Sequence, residues 1–323
     1  MDAVNFLDVR QSSAVYADGM HDDAAALQRC IDQMRSGGTI YFPDGVYLIS
    51  AALIFYSNQH LMFSDKAVLL RSGASEPITK YMLAAYSDPD MPGYEGTHDV
   101  VISGGVFDGN GALTENLTII NTVHCRNITI RGCRFVHCAN WHFIEINSTK
   151  DALITDCVFD GTSYTAIRES LTSELVQLDA ARKGAYGPLY ATGGQLIDFC
   201  DDATPCRDII IERCIFKCDG FPGVGHHGSD EHTGITIREN VFTGTSGKGD
   251  ISRGFIFFMK EVHGVWVQSN AFISKREKDA KAFAVVIENP DAAACLVEGN
   301  SLIGNYSTCF AGGITERDNV FSA

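Results

Sequence analysis

Residues 127–135 read NITIRGCRF, and the same phrase returns at 151–159 (DALITDCVF), 208–216 (DIIIERCIF), 234–242 (GITIRENVF), 264–272 (GVWVQSNAF), 295–302 (CLVEGNSL) and 314–321 (ITERDNVF). Each copy is a short run rich in β-branched residues, apolar at alternate positions, closed by Cys or Asn and then by an aromatic or aliphatic residue. Aligning the copies puts Cys133, Cys157, Cys214, Asn240, Asn270, Asn300 and Asn319 in one column. The steps along it are 24, 57, 26, 30, 30 and 19 residues, and the longest is read as a double step holding an extra turn. Repeats of this length are units that cannot bury their apolar faces singly and must stack. Strands this short, joined by turns rather than helical patterns, predict a parallel β-solenoid rather than a βαβ fold. An Asn repeated at one turn can bond its counterparts in the coils above and below, while a Cys there is a small buried hydrophobe. The competing reading is a β-sandwich in which the column is fortuitous.

The opening segment supplies the end of such a stack. Asp22 is placed to cap a helix through Leu27, Ile31 and Met34 that stops at Gly37-Gly38. Then TIYFPDGVYLI reads as strand, Pro-Asp-Gly turn and strand. A helix there would cover the open edge of the first coil. Coils are traced from about residue 39 to the C-terminus.

The whole stretch from Asn5 to Ser50 resembles the N-terminal signature of the pectate-lyase superfamily of right-handed β-helices. The matching elements are Asp18-Gly19, the acidic pair Asp22-Asp23, the Ala/Leu/Ile helix with Gln28, the Gly-Gly, and Pro43, Gly45 and Tyr47 of the turn. Ser12-Ser13-Ala14 departs from the Gly-Ala usual there, and VVISGGVFDGNG at 100–111 is similar to a strand and turn of polygalacturonase-like members. The resemblance implies an all-β, single-stranded right-handed parallel β-helix with an N-terminal capping helix. It also implies activity on glycans, within a superfamily of hydrolases, lyases, epimerases and phage tailspikes. Residues 1–323 are read as a single domain, with 1–50 as cap and first coil and 180–207 as a long loop over a groove.

Bulk properties narrow the partners. The 323 residues carry 25 basic and 40 acidic side chains, a formal charge of −15, which argues against nucleic acid or an anionic membrane as partner. Eleven cysteines is an odd count, and several fall in the ladder column. With no cleavable signal visible after Met1, reduced thiols and a cytoplasmic location are expected, with virion association as the alternative. No metal or cofactor is expected, a bound calcium ion being the alternative. Trimers are plausible by family resemblance only.

Chemistry is expected where one strand of each coil faces a common side: WHFIEIN (141–147), ELVQLD (174–179), GVGHHG (223–228), GFIFF (254–258) and AFAVVIE (282–288). Alternation turns Phe143, Glu145 and Asn147 outward with Gln177 and Asp179, and Ile144, Ile146, Val176 and Leu178 inward. Asp179, Glu145 and His227 are the leading catalytic candidates, with Glu174 as a further acid. Asp179 could equally cap the loop turn, and Glu174 could be a solvated strand-start carboxylate. Gln177, Asn147, Trp141, His226, Asp198, Asp202, His232 and Arg168 are the substrate-binding candidates. His227-Gly228 is similar to the Gly-His-Gly element of polygalacturonase-like enzymes. Asp201-Asp202 matches their paired aspartates poorly, since Ala203-Thr204-Pro205 follows. Trp141 reads either as a sugar-stacking platform or as a ring closing the core. Arg168, Arg182 and Lys183 are the cations assigned to the patch, and a lyase would want one as base or carboxylate clamp.

Adjacent coils lie about 4.8 Å apart, so Glu145 and Asp179 on a diagonal would have backbones roughly 8 Å apart. Inverting glycosidases hold their carboxyl groups about 6.5–9.5 Å apart. The expectation is a glycoside hydrolase of polysaccharide degradation, with a lyase or epimerase second. From another class, a non-catalytic carbohydrate-binding, tail-fibre-like module is the alternative.

Overall fold

The computed structural model describes residues 5–73, 80–111, 116–138, 141–163, 174–184, 189–190, 192, 194–226, 228, 231–245, 247–248, 251–259, 262–277, 282–289 and 295–322. Three long parallel sheets run the length of a right-handed β-helix. The first has eleven strands, from Phe6–Asp8 to Thr315–Arg317, and the second eleven, from Asp18–Asp22 to Val320–Ser322. The third has nine, from Leu53–Phe55 to Phe310–Gly312. One coil visits them in turn, as in Arg126–Arg131, Arg134–Val136 and Ile144–Asn147 before Lys150–Thr155 begins the next.

The turn from first to second sheet is two residues long, and the predicted column is its second residue. The residue before it is left-handed in coil after coil: Gly132, Asp156, Arg213, Glu239, Ser269, Gly299 and Asp318 have φ between 51° and 62°. For the non-glycine members that conformation costs about 1 kcal/mol or more, and the ladder offsets it. Asn240 Nδ2 donates to Asn270 Oδ1 at 3.0 Å, Asn270 to Asn300 at 3.0 Å and Asn300 to Asn319 at 2.9 Å. Each Oδ1 also accepts the backbone N–H of the rung before it. Cys214 N continues the column to Asn240 Oδ1 at 2.8 Å, and Cys157 N reaches Cys214 Sγ at 3.4 Å. Two residues on, Phe107, Phe135, Phe159, Phe216, Phe242 and Phe272 stack inside the cylinder with centroids 4.6–5.2 Å apart.

The solenoid begins before residue 39, because Phe6–Asp8 pairs with Gly38–Phe42 and Asp18–Asp22 with Gly45–Ile49. No extra turn fills the 57-residue step: Lys150–Thr155 pairs directly with Arg207–Glu212, so the added length lies within this one coil, on either side of Val176–Asp179. The helix is Ala24–Gln33, and Asp22 Oδ1 accepts the N–H of Ala24. Its Gln28 accepts Ile54 N at 2.7 Å and donates to Ile54 O at 3.0 Å. Those are the two bonds a further strand would make, so Gln28 closes the edge of the third sheet.

Candidate functional site

The third sheet has an inward row, Leu53, Leu83, Ile120, Ile144, Val176, Val224, Ile256 and Val285, and beside it an outward row. The outward row runs Ile54, Ala84, Asn121, Glu145, Gln177, Gly225, Phe257 and Val286, apolar at both ends and polar in the middle. Asp179 lies opposite Asn147, two positions along from Gln177, so Glu145 and Asp179 are diagonal neighbours. Phe143 does not face outward. The N–H groups of Phe143 and Ile144 both donate to Leu175 O, at 2.9 and 3.2 Å, so a bulge turns both side chains into the core.

Glu145 is 3% exposed, and its Oε2 accepts from Thr118 Oγ1 at 3.2 Å and Asn121 Nδ2 at 3.3 Å. Burial, and then the negative charge of Asp179, raise its pKa to about 7, although the neighbouring Thr118, Asn147 and Asn121 side chains pull it down. Asp179 is 9% exposed, with Oδ2 accepting from Gln177 Nε2 at 3.1 Å and Oδ1 from Ala180 N at 2.8 Å. Glu174 is fully buried over Gly225, where an added Cβ would lie 2.7 Å from Glu174 Cγ and 2.5 Å from Phe257 O. Its carbonyl accepts His142 Nδ1 at 2.7 Å. Gly225→Ala is therefore expected to destabilise the fold by about 1–3 kcal/mol, read as a lower denaturation midpoint. An unchanged midpoint would show that Glu174 does not occupy that space.

The structure thus brings Glu145, Asp179, Glu174, Gln177 and Asn147 together. It does not bring in the candidate histidines His226 and His232. His226 is in register with Phe258, a core position, and its ring meets that of His232 edge-on at 4.4 Å inside the cylinder. His232 accepts Cys206 N at 2.9 Å, and burial lowers its pKa to about 3, leaving it neutral. Asp198 is exposed, with Oδ1 accepting Phe199 N. Asp202 ties loops together, accepting Gly93 N at 2.6 Å and Thr204 N at 2.9 Å. Trp141 packs beside Tyr81 at the rim, under the ammonium of Lys80. His227 and Arg168 lie outside the described residues.

The long loop covers the face. Leu189–Tyr190 pairs antiparallel with Leu196–Ile197, and Leu189 and Ile197 pack on Ala52, Ile54, Tyr81 and Ala84. It is clasped to the 86–98 loop by Ser87 Oγ donating to Asp198 O and Tyr94 Oη to Pro205 O. The buried His124 places its ring nitrogens 2.8 and 2.7 Å from the carbonyls of Gly93 and Cys200, one in each loop. So the long loop closes the apolar end of this face, and beside it the carboxylates of the acidic patch are themselves buried.

Sequence reasoning missed Thr118 and Asn121, although TIINTV stands before its ladder strand at the offset of the strands that were compared. It also missed Arg253, whose guanidinium lies 4.7 Å over Phe257 in the outward row. Among the described residues no group of His, Cys, Asp or Glu has a metal-holding arrangement, and no helix is long and apolar enough to cross a membrane.

Comparison with known proteins agrees with this architecture. The plasmin and fibronectin-binding protein A of Streptococcus pneumoniae is 32% identical over 200 residues, 55% of this chain but only 28% of that protein's length. The structure of the Streptococcus pneumoniae surface protein and adhesin PfbA superposes with a TM-score of 0.69 at 19% identity, covering 98% of this chain and 97% of that one. An exopolygalacturonase from Thermotoga maritima gives 0.55 at 12% identity, covering 98% and 92%. Residues 6–173, more than half of the sequence, match the family model described as rhamnogalacturonase A/epimerase, pectate lyase-like, and to that family the chain belongs.

Proposed function

We propose that the protein is a glycoside hydrolase whose working pair is Glu145 and Asp179. The observation that carries this reading is a buried carboxyl group, its pKa raised by burial and by Asp179, lying diagonally beside a second carboxylate on the outward face. Paired carboxyl groups in unlike environments divide the work of acid and base. Glu145 gives its proton to the glycosidic oxygen as the bond from the anomeric carbon breaks. Asp179, the more exposed of the two, takes a proton from the water that attacks that carbon from the opposite side. The diagonal spacing suits inversion. Gln177 orients Asp179, and carbohydrate is the partner.

One observation favours a second reading, adhesion to glycan without turnover. Glu145, Asp179 and Glu174 are each less than 10% exposed, and the fold likeness to a surface adhesin spans the described length. Reducing-sugar release from polygalacturonate, alginate and neutral glucans decides between them. Glu145→Gln and Asp179→Asn are each expected to cut release at least 100-fold while leaving retention on the same glycan unchanged. Retention with no release by the unmodified protein would favour adhesion. A 4,5-unsaturated product absorbing in the near ultraviolet would replace hydrolysis by lysis.

A further inference from the structure

A second depression, of about 290 Å3, opens where the third sheet turns into the first, lined by Arg35, Tyr56, Ser57, Tyr86, Glu95 and His98. Tyr86 follows the strand Tyr81–Ala85, three strands along the sheet from Val176–Asp179. At about 4.8 Å per strand this is roughly 14 Å from the acidic patch. The 86–98 loop and the hairpin on the outward face belong to the wall between them.

The depression is built around two tyrosines, with ring centroids 5.6 Å apart and planes at 39°. Both rings are partly buried against apolar clusters that fix their backs. Their hydroxyls are held too, Tyr56 Oη by Asp32 at 3.0 Å and Tyr86 Oη by Asp88 at 3.4 Å. The Arg35 guanidinium lies over both, 4.5 and 5.3 Å from the centroids. Arg35 makes no ion pair and no side-chain hydrogen bond among the described residues, so its position comes from the ring faces alone. A guanidinium seated in this way keeps five N–H donors for something else.

We infer that this depression is a saccharide-binding site, separate from the acidic patch, that takes one or two neutral sugar residues. Tyrosine faces match the C–H face of a pyranose, and rings already fixed by packing lose little freedom on binding. Adjacent hydroxyl pairs both donate and accept, which fits a lining that carries both the Arg35 guanidinium and the Glu95 carboxylate. The volume is near the lower limit of about 300 Å3 for small-ligand sites, which suits a short unit rather than a long chain. The ligand is neutral because, among the described residues, Arg35 is the one Lys or Arg lining the site, while Glu95 lines it and Asp32 and Asp88 bond its tyrosines, so an added carboxylate meets repulsion.

The test uses methyl glycosides of glucose, galactose, mannose and N-acetylglucosamine, with galacturonic acid as the anionic comparison, by saturation-transfer NMR and titration calorimetry on the full chain. At least one neutral glycoside should bind. Its Kd should rise tenfold or more in Arg35→Ala and in Tyr86→Ala, and stay within twofold in Glu145→Gln. Arg35 is exposed, so its variant keeps the test valid if Tyr86→Ala disturbs packing. Binding by none of the four, tighter binding of galacturonic acid, or loss of binding only in Glu145→Gln would each overturn the assignment. Sugar release is scored separately, so a silent acidic patch and a silent tyrosine site are distinguishable.

Discussion

Glu145→Gln should make the protein more stable at pH 7 and above, and should flatten part of its pH–stability profile. Glu145 has a folded pKa near 7 against an ordinary 4.5, so between those values the folded state holds a proton that the unfolded state has released. Stability from this group is fully present below about pH 4.5 and is lost as pH rises through about 7. A shift of this size is worth up to about 3 kcal/mol. Glutamine keeps an acceptor for Thr118 and Asn121 without a charge to bury. The measurement is the denaturation midpoint of both proteins from pH 4 to 8. The difference between them should open across that interval in favour of the variant, and parallel profiles would show that Glu145 is not the buried acid described. An activity loss paired with a stability gain would also separate a catalytic carboxylate from a structural one, since structural carboxylates lose both.

Asn270 variants should fall in the order Cys, Ala, Asp, from least to most destabilised. Asn270 is 2% exposed; its Nδ2 donates to Ile237 O and Asn300 Oδ1, and its Oδ1 accepts from Asn240. Alanine leaves these partners buried and unbonded, which costs about 3 kcal/mol or more. Aspartate is worse, because it sets an acceptor against the two acceptors of Ile237 and Asn300 and buries a charge. Cysteine fills the volume and already occupies this rung in three coils, where Cys214 Sγ accepts Cys157 N. Chemical denaturation of the three variants tests the order; an aspartate as stable as the cysteine would show that the ladder contributes nothing.

These contrasts explain what could be read before the structure. The ladder was legible because Asn240, Asn270, Asn300 and Asn319 do the same work at the same turn, leaving a periodic mark. The diagonal of Glu145 and Asp179 followed from strand alternation alone. Three things were not legible. His226 holds a core position, but the Gly-Val-Gly-His-His run around it lacks the apolar alternation that marks inward residues. Phe143 turned inward because of a bulge, which shifts the phase of alternation without changing composition. The cover over the apolar end of the outward face depends on Leu189 and Ile197 meeting Ala52, Ile54 and Ala84, more than a hundred positions away, and no local pattern encodes such a meeting.

Nine of the eleven thiols are buried, and they are spread from Cys30 in the cap to Cys295 near the far end. Burial keeps reagents from the interior sulfurs while their coils are closed, and desolvation pushes the Cys125 thiol up to about 12 and that of Cys157 well above its ordinary range. Each becomes reactive only when its own segment opens. The molecule therefore comes with an internal set of labels. An alkylating reagent with mass readout would report the order in which the cylinder unwinds, coil by coil, without any engineered probe.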